Sequence, residues 1–248
     1  MLYPKMQTMP NNAPQILALD TATQSCTVAL ARGEELFFEA GASGAGHSEA
    51  ILSLVDAALK RGETSLSDCD AIAFGAGPGA FTGLRVACGV AQGLAWAKEK
   101  KVVPVGNLEA LALQVLKGEP AGARVLVCLD ARMHQSYCAV YEKGAEGEEP
   151  LEVEPPRLAN PEDLPVLARE KGVRIAAGSA IGAFPEAFAE LSSVKQLPEA
   201  AVTAEDIARL ALILYRKGAA VSPELAAPLY IRNRVALTIE QRAAGEKL

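Results

Sequence analysis

Apolar positions along the chain follow two periods that alternate. Residues 15–20, 25–31 and 34–41 run apolar or alternate with polar positions, which predicts three strands joined by tight turns, with Gly33 in the second turn. From 47 to 60 the period changes: Ile51, Leu54, Val55, Ala58 and Leu59 recur at helical spacing, and Gly62 ends the helix. A buried strand over 71–75, a helix over 82–98, a short strand over 102–105 and a helix over 108–116 complete the first half. The order then restarts. Strands near 123–130 and 136–142 are followed by a polar Gly/Glu turn and a strand near 151–154. A helix at 161–171, a strand at 173–177 and a helix at 203–217 follow. Pro223 and Pro228 break helix and open a tail that reads PLYIRNRV.

The restart is visible in the residues themselves. ILALDTATQSCTVAL (16–30) parallels LVCLDARMHQSYCAV (126–140): each is a strand ending in Leu-Asp, at Asp20 and Asp130, then a polar turn and a second strand. IAFGAGPGAFT (72–82) parallels IAAGSAIGAFP (175–185) through Ile-Ala, a glycine and Gly-Ala-Phe. Two matched pairs in the same order imply a duplicated unit. Strand hairpins followed by alternating strands and helices, twice over, give an α/β protein with two duplicated domains, each a mixed β-sheet flanked by helices. The expected division is an N-terminal extension (1–14), a first domain (15–106) and a second domain (107–222). A tail (223–248) packs back on the core and ends in a mobile segment.

Composition narrows the function. The 248 residues carry a net charge of −6, without the Lys/Arg excess of a stand-alone RNA binder. Five cysteines (Cys26, Cys69, Cys88, Cys128 and Cys138) form no C-x-x-C pair, and three lie in apolar strand-like runs. Buried, reduced thiols in a cytoplasmic protein are expected. The N-terminus lacks the apolar stretch of a signal peptide, and no apolar run is long enough to span a membrane.

Duplicated β-β-β-α-β-α domains resemble the actin/Hsp70/sugar-kinase (ASKHA) group, whose members bind ATP between their halves with hairpin turns on the phosphates. Against that pattern, the first turn offers Asp20, Thr21 and Thr23, with Ala22 where a glycine would let backbone approach phosphate. The second turn offers Asp130 and Arg132. These are the weak cofactor-binding candidates, and none is firm. The other reading makes Asp20 and Asp130 turn caps. A stand-alone ATP-binding kinase or ATPase of this fold is the alternative function. The glycine-rich stretch GAGPGAFTGLRVACG (75–89) lacks the lysine of a P-loop. Its Thr82 reads as an N-cap, and Pro78 sets a sharp strand-to-helix turn.

At this stretch a closer resemblance appears. GPGAFTGLRV (77–86) resembles the GPGSFTGLR signature of the bacterial TsaB (YeaZ) family, with Ala80 where serine is usual. ILALDTA (16–22), HSEAILSLVDAAL (47–59) and PLYIRNRVA (228–236) match the family's opening strand, first helix and C-terminal signature. The resemblance implies a non-catalytic subunit that supports the threonylcarbamoyltransferase TsaD. That enzyme forms N6-threonylcarbamoyladenosine at position 37 of tRNAs reading codons that start with A. It further implies TsaE, an ATPase subunit, in the assembled complex, tRNA contact only through that complex, and ATP or ADP only at the complex. TsaD holds a metal through an H-x-x-x-H pair. Asn107 and Leu111 stand at the matching positions here, and the chain's two histidines, His47 and His134, are far apart in sequence, so no metal site is expected.

The helix TGLRVACGVAQGLAWAK is apolar on more than one face, so one side meets the sheet and the other needs a cover. Gly89 and Gly93, four apart, permit close approach of another helix. Either the preceding helix covers this face, or both helices form an interface. The second account names Ala50, Leu54, Ala58, Val86, Val90, Gly93, Leu94 and Ala97 as contacts. The resemblance implies the same, with TsaD as partner in a heterodimer and a homodimer when the chain is alone.

Overall fold

The computed structural model describes residues 13–23, 25–41, 47–145 and 147–232, and the side chains of 47–49 are not among the details described. The expected N-terminal extension and the end of the tail lie outside these residues for the most part. The chain divides into two compact units, neither continuous in sequence.

The first unit runs up to Gly75 and adds Thr82–Val105 and Thr203–Ala226. Its sheet holds β1 (Gln15–Asp20), β2 (Thr27–Arg32), β3 (Glu35–Ala40), β4 (Ala71–Gly77) and β5 (Lys101–Gly106), in the order β3-β2-β1-β4-β5. β1 pairs antiparallel with β2 and parallel with β4. Every residue of β1 and β4 is buried, which explains their unbroken apolar runs. Helix α1 (His47–Arg61) lays Ile51, Val55 and Ala58 on β2 and β3. Helix α2 (Phe81–Ala97) buries Leu84, Ala87, Cys88, Ala91 and Ala95. It begins one residue before Thr82, which therefore lies inside the first turn and is not the expected cap.

The second unit comprises Ala76–Phe81, Gly106–Val202 and the chain from Ala227. Helix α3 (Asn107–Leu116) precedes β6 (Arg124–Asp130), β7 (Ser136–Glu142), β8 (Leu151–Ala159), α4 (Asp163–Glu170) and β9 (Ile175–Ala177). Two short helices, α5 (Ala180–Ala183) and α6 (Pro185–Ala189), lead to β10 (Lys195–Leu197). The sheet order is β10-β9-β6-β7-β8. β8 outruns the expected 151–154 and carries Pro155 and Pro156, tolerated because β8 is an edge strand.

Read from its other end, the second sheet is β8-β7-β6-β9-β10, the topology of the first. β6 pairs antiparallel with β7 and parallel with β9, as β1 does with β2 and β4. The duplication is therefore architectural, and the ASKHA-type α/β fold stands. One boundary differs from the sequence reading, which kept 203–222 in the second domain. Helix α7 (Ala204–Arg216) packs on β1 and β2 of the first unit. Its N-terminus is tied there: the Ala204 N–H donates to Thr27 Oγ1 at 2.9 Å. Thr203 and Asp206 close a capping box over the first turn. The matching helix α3 packs on β6 and β7 of the second unit.

Candidate functional site

The glycine-rich loop is built for a tight join. Gly77 has φ 118°, a backbone that side-chain-bearing residues rarely adopt, and its N–H donates to Asn107 Oδ1 at 3.0 Å. Asn107 is buried and Leu111 is fully buried. Asn107 therefore braces the loop from the first turn of α3. Among the described residues no group of His, Cys, Asp and Glu could hold a metal ion. At the start of α2, Thr21 Oγ1 donates to the Gly83 carbonyl at 2.6 Å. A Cβ on Gly83 would collide with the Thr21 carbonyl oxygen. Glycine is required there by contact with backbone of the same unit.

The hairpin-turn candidates are engaged locally. Asp20 and Thr21 are fully buried. Asp20 Oδ1 accepts from the Ala22 N–H at 3.3 Å, and Oδ2 accepts from Thr23 Oγ1 at 2.9 Å. In the other repeat, Asp130 Oδ1 accepts from the Arg132 N–H at 2.8 Å, and Oδ2 lies 3.2 Å from the Arg132 guanidinium. Both aspartates thus bind the N–H two residues on, an Asx-type turn cap preserved through the duplication. A groove of about 560 Å³ lined by Gln114, Val115 and the 196–200 segment contains none of these candidates.

The outward faces of α1 and α2 carry the other candidates. Ala50, Leu54, Val86, Val90 and Leu94 are half-buried, while Gly93 and Ala97 are exposed. Ala58 is a correction: it is 0% exposed and turned to the sheet, seven residues on from Ile51 along the buried stripe, so it meets no partner. Sequence reasoning left out Leu52 and Trp96, which are 57% and 69% exposed. An apolar side chain off the core stripe was the signal for both. A Cβ on Gly89 or Gly93 would meet nothing within 4 Å. Among the described residues, then, nothing fills the space at Gly89 and Gly93, which favours the account in which this face is open over the one in which α1 covers it. The inner side of α2 is held instead by the chain that follows α7: Gln92 Nε2 donates to the Pro223 and Ala226 carbonyls, each at 3.0 Å.

Burial sets the state of the cysteine thiols. All five cysteines are buried. Burial pushes the Cys26, Cys69 and Cys138 thiols up to about 11, which removes thiolate at neutral pH. Burial, reinforced by Glu149 and Glu152, pushes Glu109 up to about 7.

Comparison with known proteins agrees with this geometry. The family model described as TsaD, tRNA N6-adenosine threonylcarbamoyltransferase, matches residues 42–190. The tRNA threonylcarbamoyladenosine biosynthesis protein TsaB of Escherichia coli K12 is 34% identical over 227 residues, covering 90% of this chain and 96% of that one. Its Haemophilus influenzae counterpart is 35% identical over 229 residues, covering 89% and 94%. Among solved structures, YeaZ from Pseudomonas aeruginosa superposes with a TM-score of 0.74 at 31% identity, covering 88% of this chain and 99% of that one. A second Pseudomonas aeruginosa structure, described as similar to peptidase YeaZ, gives a TM-score of 0.76 at 33% identity, covering 88% and 100%. In sequence over nearly its whole length and in fold, the chain belongs to the TsaB (YeaZ) family of tRNA threonylcarbamoyladenosine biosynthesis proteins.

Proposed function

We propose that this chain serves tRNA threonylcarbamoyladenosine biosynthesis as a non-catalytic subunit, binding a TsaD threonylcarbamoyltransferase through the outer faces of α1 and α2. The observation that carries the reading is the open face of α2. Gly89 and Gly93 leave room for another helix, and Trp96 stands exposed beside them. An exposed apolar helix face of this kind marks an association surface. With no partner present the same face pairs with a second copy, giving a homodimer.

The absence of histidine at Asn107 and Leu111 supports a supporting role over a transferase role. The local engagement of Asp20 and Thr21 favours nucleotide lying at the assembled complex, not on this chain. TsaE joins in that complex, tRNA is met there, and the setting is the cytoplasm.

The test is size-exclusion chromatography with light scattering, on the chain alone and mixed with TsaD of the same organism. The expected result is a one-to-one species that replaces the homodimer, and its loss in Leu94→Glu with the circular dichroism of the isolated variant unchanged. A Leu94→Glu variant that still assembles rejects this interface.

A further inference from the structure

Nine large apolar side chains are exposed among the described residues, and four of them, Phe81, Met133, Leu229 and Tyr230, belong to one connected region of the second unit. The connections are direct. The Phe81 and Tyr230 rings lie 5.6 Å apart between centroids, tilted by 39°, and each is nearly half exposed. Two residues beyond Tyr230, at most roughly 7 Å of extended chain, Arg232 reaches the β6–β7 turn. There its guanidinium donates to the Ala131 carbonyl at 3.0 Å and to Met133 Sδ at 2.8 Å. Leu229 fixes the start of this segment through its N–H on the Ala76 carbonyl at 2.7 Å.

The turn itself is unusual. Arg132, Met133 and His134 have φ of 63°, 56° and 54°, three successive left-handed residues with no glycine or asparagine among them. Such backbone persists only where surrounding contacts over-determine it, and it gathers at functional sites. Here the contacts are the Asp130 cap, the Ala131 N–H on the Gln135 carbonyl, and the edge-on packing of His134 against Phe184. What the turn gains is display: the Arg132 side chain is 87% exposed, and Met133 projects beside it.

Accepting the role in tRNA modification proposed above, we infer that this face takes an unstacked nucleotide of RNA. The base stacks on the Tyr230–Phe81 pair, and the phosphates meet the Arg132 and Arg232 guanidiniums. Paired aromatic rings with fixed arginines match single-stranded nucleic acid, where stacking and phosphate contacts share the affinity. The rigid turn presets the Arg132 position, and the tether from Arg232 holds the aromatic segment against it. Two guanidiniums offset by Asp130 make a weak electrostatic footprint, in keeping with an acidic chain that meets RNA as part of an assembly.

The test is fluorescence anisotropy of a labelled, unmodified tRNA that reads a codon starting with A, at about 50 mM salt and upward. It is titrated with the full chain alone and with the chain premixed with TsaD. Tyr230→Ala is expected to weaken binding by about ten-fold while Tyr230→Phe binds as the native chain does. Arg132→Ala is expected to lower the slope of log affinity against log salt by about one, with the circular dichroism of the variant unchanged. Tyr230→Ala and Arg132→Ala variants that match the native chain in affinity and slope overturn the inference. So does loss of a protein subunit from the assembly with RNA affinity kept, or no RNA binding in either titration. Assembly of Leu94→Glu with TsaD reads the interface proposal separately, because the RNA titration is also made on the chain alone.

Discussion

Glu109 sits in the first turn of α3 with its carboxyl withdrawn from water and near the carboxylates of Glu149 and Glu152. In the folded chain its proton stays on up to about pH 7, whereas in the unfolded chain it leaves near the ordinary glutamate value of about 4.3. Between those values the unfolded state binds fewer protons, so stability falls as pH rises and levels off above 7. Glu109→Gln keeps the shape of the neutral acid and removes this loss. The variant should melt close to the native chain at about pH 4 and several degrees higher at about pH 8, on the scale of roughly 2–4 °C per kcal/mol for a chain of this size. Parallel melting profiles for the two proteins across that range would show that burial of Glu109 does not set the slope. At this scale the sequence was legible where chemistry is local: of the two readings open at Asp20 and Asp130, phosphate contact and turn cap, the cap is the one whose hydrogen bonds are formed. The raised pKa of Glu109 was not legible, because it depends on burial first, and then on Glu149 and Glu152, which the second sheet brings beside α3.

Helix α2 carries three glycines that read alike in sequence and differ in the structure. Gly83 has no room for a methyl group, since the neighbour is Thr21 backbone. Gly89 and Gly93 face open space. Gly83→Ala should therefore destabilise the fold by about 1–3 kcal/mol through overpacking. Gly89→Ala and Gly93→Ala should each stabilise the isolated chain by up to about 1 kcal/mol, as alanine is the better helix residue. The same two substitutions should weaken association with TsaD if helices approach closely along this stripe. Urea unfolding gives the first three values and titration calorimetry with TsaD the last. Gly93→Ala that leaves affinity untouched would mean the stripe is not a contact line. The helical period placed α1, α2, α3 and α7 within a few residues. It missed α5, α6 and β10, segments of three to five residues that are too short to show a period. It also shared Ala58 between core and interface, because alanine fits either surface and only the placement of Gly62 against Leu30 and Phe37 fixes which way α1 is rotated.

For the whole molecule, the duplication was legible because β1–β2 and β6–β7 keep matching residues at their turns, and the two sheets share one topology. The destination of α7 was not. Its apolar stripe, from Ile207 through Leu210 and Ala211, announces that it covers something without saying which sheet. Only the contact with β1, β2 and Thr27 decides that. A fragment of residues 15–106 should accordingly leave one face of its sheet bare, bind the dye ANS and unfold without cooperativity. Joining residues 203–222 to it through a flexible linker should restore a sharp transition. A cooperative transition in the short fragment alone would show that α7 is dispensable to the first unit.

Helix α7 is the last α-helix of the described residues and packs on the first of the two sheets. During synthesis, then, the opening hairpin leaves the ribosome long before its cover exists. At roughly 5–20 residues per second, β1 and β2 wait for several seconds or more with apolar surface uncovered while the entire second sheet is made. The early chain is the stretch most exposed to chaperones and to wrong partners. The second repeat, by contrast, has α3 made before its own strands, so its cover is in place when β6 and β7 appear.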